Sequence, residues 1–244
     1  MRVRDLGPID AVIDGQPHLI PGLFPQTLLR VLARNPGHSV SLPALIDALW
    51  GNDPPGRAAA LLEQHVWRLR KILEPGRRAG QPAQILVHTS AGYALRIDPS
   101  DVDSLRQEQL VRSGRKLLAA GRAEDALDQF ATAAALWRGP PVSRADDPWR
   151  TSAEDVRIGA LEGAADAELA LDRPAEALAR LDAVSSEWPL HEGLCERRML
   201  ALYRLGRQAD ALAAYRDVRN RLANELGGGS WAEAADSAGA DPGA

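Results

Sequence analysis

The chain has 244 residues and a formal net charge of −4; 45% of its residues are hydrophobic and 25% are charged. These fractions are ordinary for a globular protein, and no apolar run approaches the roughly 20 residues that a membrane-spanning helix needs. The N-terminal sequence lacks the apolar core of a signal peptide, and a single cysteine, Cys195, excludes an internal disulfide. We therefore expect a cytoplasmic protein of one large domain or two small ones.

The charge is divided unevenly along the chain. Residues 1–98 hold 11 Lys and Arg against 8 Asp and Glu, whereas residues 99–244 hold 18 against 25. Such an asymmetry is expected when a nucleic-acid-binding module is joined to a module that faces other proteins. The alternative is that a small excess of positive charge over 98 residues lies within ordinary variation.

The N-terminal residues predict a small antiparallel sheet followed by helices. Apolar residues alternate loosely over residues 2–20 around Asp14-Gly15, a dipeptide typical of a tight hairpin turn. A first helix is predicted over Leu23–Arg34, where the apolar residues recur at helical spacing. A second helix is predicted over Leu42–Trp50, because Ser41 is a favourable N-cap residue.

The third helix, predicted over residues 57–73, is amphipathic and basic. Its apolar stripe recurs at spacings of four, three and four residues and consists of Leu62, Val66, Leu69 and Leu73. The opposite face carries Arg57, Gln64, Trp67, Arg68 and Lys71, with His65 and Arg70 on its shoulders. Arginine and glutamine hydrogen-bond to base edges in the DNA major groove, so this helix has the chemistry of a recognition helix.

A β-hairpin is predicted directly after the third helix. Two short apolar segments, Ile85–Val87 and Tyr93–Arg96, read as strands, and a polar turn over His88–Gly92 connects them. Three helices followed by a hairpin is the order of a winged helix-turn-helix, and the hairpin forms its wing. These elements favour DNA binding; the alternative is that the basic face of the third helix is only a solvated surface.

The chain after residue 98 reads as helix throughout, and one phrase recurs in it. The phrase occurs at Gly121–Leu127, Asp172–Leu178 and Gly206–Leu212. The second and third copies are 34 residues apart, which is the tetratricopeptide period, while the first and second are 51 apart. We predict three such helical pairs, with a loop containing Trp137–Pro141 and Asp147–Trp149 interrupting the register.

Motifs in both halves resemble, in sequence order, those of the SARP group (Streptomyces antibiotic regulatory proteins). In the first half they are Leu49-Trp50-Gly51, His65-Val66, Arg68–Lys71 and Gly92-Tyr93 with Leu95. The second half resembles the bacterial transcriptional activator domain, and its motifs are Leu136–Pro140, Asp147–Trp149, Pro189–Glu192 and Met199–Arg204. The resemblance covers about residues 2–226.

The resemblance implies a mainly α fold with small β-sheets. An OmpR-type winged helix-turn-helix is expected over residues 1–98, followed by a TPR-like, all-α helical repeat domain over residues 99–226. The last stretch, residues 227–244, is rich in Gly, Ala and Asp and is expected to be a disordered tail.

The resemblance also implies a function. SARP proteins are sequence-specific activators that bind direct repeats near the promoter −35 element and recruit RNA polymerase with its sigma factor. Their targets are usually genes for antibiotic biosynthesis. Two protomers, a dimer on DNA, are then expected to lie head-to-tail on one face of the duplex.

The family assigns roles to particular positions. With the third helix in the major groove, the residues expected to face bases are Gln64, Trp67, Arg68 and Lys71. The residues expected nearer to phosphates are Arg57, His65 and Arg70, with Thr89 and Ser90 at the wing tip. Asn52 and Asp53, in the loop between the second and third helices, are expected to face the polymerase.

Two residues of the third helix depart from the family pattern. Relatives commonly have a polar residue at the position of Glu63 and a small polar one at that of Trp67. A carboxylate at Glu63 is repelled by phosphates but can accept a hydrogen bond from a cytosine amino group. Trp67 can stack on a sugar, contact a thymine methyl or contact a protein. The wing tip also lacks the arginine of many relatives, so the operator sequence does not carry over.

Enzymatic activity, a metal site and a cofactor are not expected. The five histidines are scattered, with no HExxH pattern and no partner cysteines. Cys195 lies on an apolar-patterned helix, where cysteine usually behaves as a small hydrophobe. The rival interpretation is a TPR-like adaptor that uses its winged helix for protein contacts. A sensor that binds a small molecule on the concave surface of the repeats has no residue signature.

Overall fold

Helices predominate in the structure, a computed structural model that describes residues 1–78, 80–140 and 148–227. Apart from Gly227, the predicted tail lies outside the described residues, as does most of the predicted loop before Pro148. Two compact units are formed: residues 1–113 with 132–157, and residues 114–131 with the described residues from 158 onward. In the described part of the chain, no helix has the length and apolar character needed to cross a membrane.

The chain begins with a three-stranded antiparallel sheet of β1 (Arg2–Arg4), β2 (Asp10–Ile13) and β3 (Gln16–Leu19). The turn between β2 and β3 is Asp14-Gly15, whose φ angles are 51° and 79°. Two successive positive φ angles match the twist of a two-residue hairpin, and Asp and Gly tolerate them. The predicted hairpin is confirmed.

Three helices follow: α1 (Leu23–Ala33), α2 (Leu42–Trp50) and α3 (Ala58–Leu73). Their bounds agree with the sequence predictions to within one residue. The Ser41 hydroxyl oxygen accepts a hydrogen bond from the Ala44 N–H at 3.3 Å and so caps α2 as predicted. The three helices pack on one another, and their fully buried side chains include Leu28, Leu29, Leu32, Leu45, Leu62 and Leu69.

The predicted hairpin consists of β4 (Leu86–Thr89) and β5 (Gly92–Leu95), paired antiparallel. Its turn is shorter than the sequence suggested. Thr89 pairs with Gly92, so only Ser90 and Ala91 connect the strands. His88, Thr89 and Gly92, which we expected in the turn, belong to the strands. A turn of 3₁₀ geometry, Pro99–Asp101, then leads into the helical half.

The helical half comprises α4 (Asp103–Ala119), α5 (Ala123–Ala135), α6 (Pro148–Ala170), α7 (Pro174–Val184), α8 (Glu192–Arg204) and α9 (Gln208–Gly227). No strand occurs among the described residues after position 95. The three copies of the recurring phrase coincide with the tight connections α4–α5, α6–α7 and α8–α9. The prediction of helical pairs is confirmed, although Trp149, expected in a loop, lies in the first turn of α6.

The same backbone geometry closes all three connections. Gly121, Asp172 and Gly206 have positive φ angles of 75°, 57° and 75°. In each copy the N–H of the following arginine donates to the carbonyl five residues earlier, at 2.8–2.9 Å. This is the Schellman arrangement that ends many helices. Asp is among the few residues that tolerate the left-handed region, which explains how the second copy ends without glycine.

The unit that contains the winged helix also includes the start of α4. Asp5, the residue directly after β1, is fully buried. Its carboxylate accepts hydrogen bonds from the N–H and the hydroxyl of Ser104, at 3.0 and 2.7 Å. The first N–H groups of a helix have no intrahelical partner and favour an anion. Asp5 therefore joins the N-terminal sheet to α4, although burial raises the pKa of its carboxyl group.

A second tie within this unit comes from Arg138, three residues after α5. Its N–H donates to the Leu6 carbonyl at 2.9 Å. Its guanidinium donates to the carbonyls of Arg4 and Pro8 at 3.0 and 2.9 Å and lies 3.5 Å from an Asp10 carboxylate oxygen. Arg138 thus binds β1, the start of β2 and the segment between them through both its backbone N–H and its guanidinium.

Replacing Arg138 by alanine is expected to lower the free energy of unfolding by about 1–2 kcal/mol, because hydrogen bonds to a charged group are lost. Urea unfolding followed by circular dichroism measures the change. The control Arg138→Lys keeps the charge but lacks the planar donor fork, so it should recover only part of the loss. Equal stability of Arg138→Ala and the unchanged chain would contradict this role.

Candidate nucleic-acid interface

Helix α3 divides its side chains into a buried stripe and an exposed face. Leu62, Val66, Leu69 and Leu73 are at most 1% exposed, which confirms the predicted stripe. The outward residues recur at positions i, i+3, i+4 and i+7, so they share one face. They are Gln64, Trp67, Arg68 and Lys71, and all four are exposed. We call these four residues the exposed α3 face.

Two members of the exposed α3 face contact each other. The Lys71 ammonium nitrogen lies 3.8 Å from the centroid of the Trp67 ring, a cation–π contact. Trp67 nevertheless remains 53% exposed. Arg68, the next residue along the helix, adds a second positive charge beside this pair. The result is a surface that combines two cations, one amide and a large apolar ring.

His65, which we expected near phosphates, is buried instead. Its ring stacks on that of Phe24, with 5.6 Å between centroids, and lies 6.5 Å from the Trp50 ring. Burial lowers the pKa of His65, and the neighbouring Arg68 lowers it further, so the imidazole is neutral near pH 7. Position 65 lies beside the apolar stripe, on the side that packs against α1 and α2. The imidazole is therefore not part of the exposed α3 face.

Arg70 lies on the other shoulder of α3 and is half-buried. Its Nε donates to the Leu86 carbonyl at 2.8 Å, and its guanidinium lies 5.8 Å from the Tyr93 ring centroid. One side chain thus contacts both strands of the wing. We expected Arg70 near phosphates; its contacts make it a residue that positions the wing relative to α3.

Glu74, which the sequence analysis did not single out, supports the same junction. One of its carboxylate oxygens accepts hydrogen bonds from the N–H groups of Gln84, Ile85 and Leu86, at 3.1, 2.7 and 3.3 Å. An acidic residue at the C-terminal end of a helix opposes the helix dipole. This unfavourable placement is visible in the sequence and could have indicated that Glu74 has a partner elsewhere in the fold.

The base of the wing is fixed by a backbone bridge to the segment before α2. Val40 and Tyr93 exchange two N–H···O bonds, at 2.8 and 3.0 Å. The bridge brings Gly92 against Val40, so a Cβ at position 92 would overlap the Val40 carbonyl oxygen and lie 2.9 Å from the Ser41 Cα. Gly92 also has a φ of 143°, which disfavours other residues.

The predicted contact residues outside α3 differ in their availability. Thr89 is half-buried; its hydroxyl donates to the Gly92 carbonyl at 3.2 Å and lies 2.9 Å from the Ser39 hydroxyl. Ser90, at the wing tip, is exposed. Arg57 is also exposed; it precedes α3 and makes no side-chain capping bond. Asn52 and Asp53, which we predicted to face the polymerase, are exposed between α2 and α3.

A three-helix core, a wing and a polar, basic face on the third helix define a winged-helix transcriptional regulator, here followed by helical repeats. Two family models match these parts of the chain. Residues 25–95 match the family described as "Transcriptional regulatory protein, C terminal". Residues 102–235 match the family described as "Bacterial transcriptional activator domain".

Known proteins with both parts are similar over most of the chain. Regulatory protein AfsR of Streptomyces coelicolor is 37% identical over 93% of this chain and 23% of its own length. Regulatory protein DnrI of Streptomyces peucetius is 32% identical over 93% of this chain and 86% of its own length.

A solved structure agrees with these matches. Mycobacterium tuberculosis EmbR, in complex with a low affinity phosphopeptide, superposes with a TM-score of 0.83 at 33% identity, over 93% of this chain and 60% of that one. This chain therefore spans about a quarter of AfsR and three fifths of the EmbR chain. It belongs to the SARP family of transcriptional activators.

Proposed function

We propose that this chain binds specific DNA sequences through α3 and activates transcription from the promoters that carry them. The observation that supports the proposal most directly is the exposed α3 face on the recognition helix of a winged-helix unit. Within the winged-helix unit, the other side of this helix is anchored by a leucine-rich core and by the wing. Its polar face is therefore held rigidly for insertion into the major groove, as recognition helices require.

Each side chain of the face has a distinct use. Arg68 can donate two hydrogen bonds to guanine. Gln64 can pair with adenine by donating from its amide nitrogen and accepting at its amide oxygen; such pairs give about 1–3 kcal/mol of discrimination each. Lys71 and the exposed Arg57 supply charge for phosphates, which adds affinity without sequence information. Ser90 offers a neutral hydrogen bond from the wing tip. His65, Arg70 and Thr89 support the geometry from within the protein.

The family indicates the wider setting of this activity. We propose that two protomers bind direct repeats near the −35 element, head-to-tail on one face of the duplex, and recruit RNA polymerase with its sigma factor. The expected targets are genes for secondary metabolite biosynthesis, including antibiotics, and the expected location is the cytoplasm. No enzymatic step and no cofactor enter this proposal.

Selection of duplexes from a random pool, followed by mobility shifts, tests the proposal. The expected result is one consensus with two half-sites in the same orientation, with centres about 10–11 base pairs or a multiple of that apart. Affinity should fall between about 50 and 200 mM salt, because phosphate contacts release counterions. A folded protein that enriches no sequence at low salt would overturn the proposal.

Replacing Asn52 and Asp53 together by alanine is expected to reduce transcription from a target promoter several-fold while leaving affinity for the operator unchanged. Both residues are exposed in the loop between α2 and α3, outside the exposed α3 face. In vitro transcription with purified polymerase measures the first effect, and a mobility shift of the same variant controls for the second. Unchanged activation would show that this loop does not contact the polymerase.

A TPR-like adaptor is the second candidate, and one observation favours it. Helices α8 and α9 expose large apolar side chains, among them Tyr203 at 62% and Leu212 at 55%. Exposed apolar surface of this kind marks protein-contact sites. The adaptor differs from the activator in one testable respect, since it does not need Arg68 or Lys71 for its partner.

A further inference from the structure

We propose that Trp67 recognises the 5-methyl group of a thymine in the major groove, so that each half-site contains one thymine read by this ring. The inference rests on the proposed function of α3 and assigns a specificity-determining role within it. It commits to one of the three uses that the sequence leaves open for this residue. The position of Trp67, the contact with Lys71 and the chemistry of the indole each contribute to it.

Trp67 occupies the centre of the exposed α3 face. It lies one turn from Gln64, one turn from Lys71 and beside Arg68, so any base edge that these residues reach lies next to the indole. With 53% of its surface accessible, it is the most exposed large aromatic residue among the described residues of the winged-helix unit. A ring in this position enters the groove whenever its neighbours do.

The contact with Lys71 favours DNA over a protein as the occupant. The ammonium lies over the indole at 3.8 Å, so any surface that covers the remaining ring also approaches this charge. An apolar protein surface would remove water from the ammonium without supplying a partner, which is costly. DNA supplies phosphate oxygens and guanine acceptors for the ammonium within a few ångströms of the base edges.

The chemistry of the indole selects thymine among the bases. Tryptophan has a single N–H donor and no acceptor, so hydrogen bonds alone distinguish bases poorly. Its large apolar surface is matched by one group in the major groove, the C5 methyl of thymine. Although Lys71 contacts the ring, 53% of the Trp67 surface remains accessible for this contact.

The test removes that methyl group alone. In the selected duplex each thymidine is replaced singly by deoxyuridine, and affinity is measured for the unchanged chain and for Trp67→Ala. Burial of one methyl group corresponds to about three- to fivefold in affinity, so one position per half-site should show this loss with the unchanged chain. At the same position Trp67→Ala should bind both duplexes equally. Trp67 is largely exposed, so this variant is expected to remain folded.

Leu61→Ala provides a matched control, because Leu61 is an exposed apolar residue of the same helix that lies six residues, about 9 Å along the helix axis, before Trp67. It should keep the uracil-sensitive position. Two results would overturn the inference: no sensitive position with the unchanged chain, or the same sensitivity in Trp67→Ala. Failure to select any duplex is a different result, which overturns the proposed function and this inference with it.

Discussion

Replacing Arg68 and Lys71 together by alanine is expected to weaken binding to the selected operator by about 100-fold or more. Two side chains that contact bases or phosphates contribute roughly 1–3 kcal/mol each, and every 1.4 kcal/mol is tenfold in affinity. Both side chains are exposed, and neither belongs to the buried stripe of α3. The loss should therefore appear in mobility shifts without a change in the circular dichroism spectrum or in the denaturant midpoint.

The control for this variant must remove the same charge from another surface. Arg115 and Lys116 are exposed neighbours on α4, and their replacement by alanine also removes one guanidinium and one ammonium. This control should keep operator affinity within about threefold. The salt dependence separates the two variants further. For the α3 variant, the steepness of log affinity plotted against log salt concentration should decrease by about one for each phosphate contact removed. Equal losses of operator affinity in both variants would show that α3 contributes only general positive charge to DNA binding.

Replacing Gly92 by alanine is expected to destabilise the chain by about 3 kcal/mol, since it combines a disfavoured φ with a backbone collision. The new Cβ would overlap the Val40 carbonyl oxygen, which belongs to backbone and moves only if the bridge to Tyr93 breaks. Urea unfolding measures the loss. Operator affinity should fall as well, because the bridge fixes the base of the wing.

Two glycines separate these causes. Gly15 has a φ of 79° and no atom within 4 Å of a Cβ built on it, so Gly15→Ala tests backbone strain alone, at about 1 kcal/mol. Gly76 has neither a positive φ nor a neighbour within 4 Å, so Gly76→Ala should change stability by less than about 0.5 kcal/mol. A Gly92→Ala variant no less stable than Gly15→Ala would show that the collision is relieved cheaply.

The sequence was sufficient for features that depend on local periodicity. The stripe from Leu62 to Leu73 repeats at helical spacing, so the identity of the outward residues followed directly. Asp14-Gly15 specified a hairpin through the φ angles that its turn requires. The recurring phrase located three helix connections. In each copy, the residue with a left-handed backbone that ends the helix and the alanine that follows it occupy the same positions.

Local periodicity did not determine what the residues on the shoulders of α3 contact. His65 and Arg70 lie about equally far from the apolar stripe on a helical wheel, and both are hydrophilic. Phe24 and Trp50, from two other helices, bury the first, while the Leu86 carbonyl binds the second. These partners become adjacent only in the folded chain, so no sequence pattern could separate residues that support α3 from residues that it exposes.

The tie between Arg138 and the first strands has a consequence for how this protein is made. The partners Arg4 and Arg138 are 134 residues apart, and Asp5 and Ser104 are 99 apart. Helical proteins usually fold fast because their contacts are local, and long-range closures of this size slow the search. Translation at about 5–20 residues per second delivers Arg138 many seconds after β1 leaves the ribosome. The N-terminal sheet thus acquires its complete support only after Arg138 has been synthesised, 134 residues after Arg4.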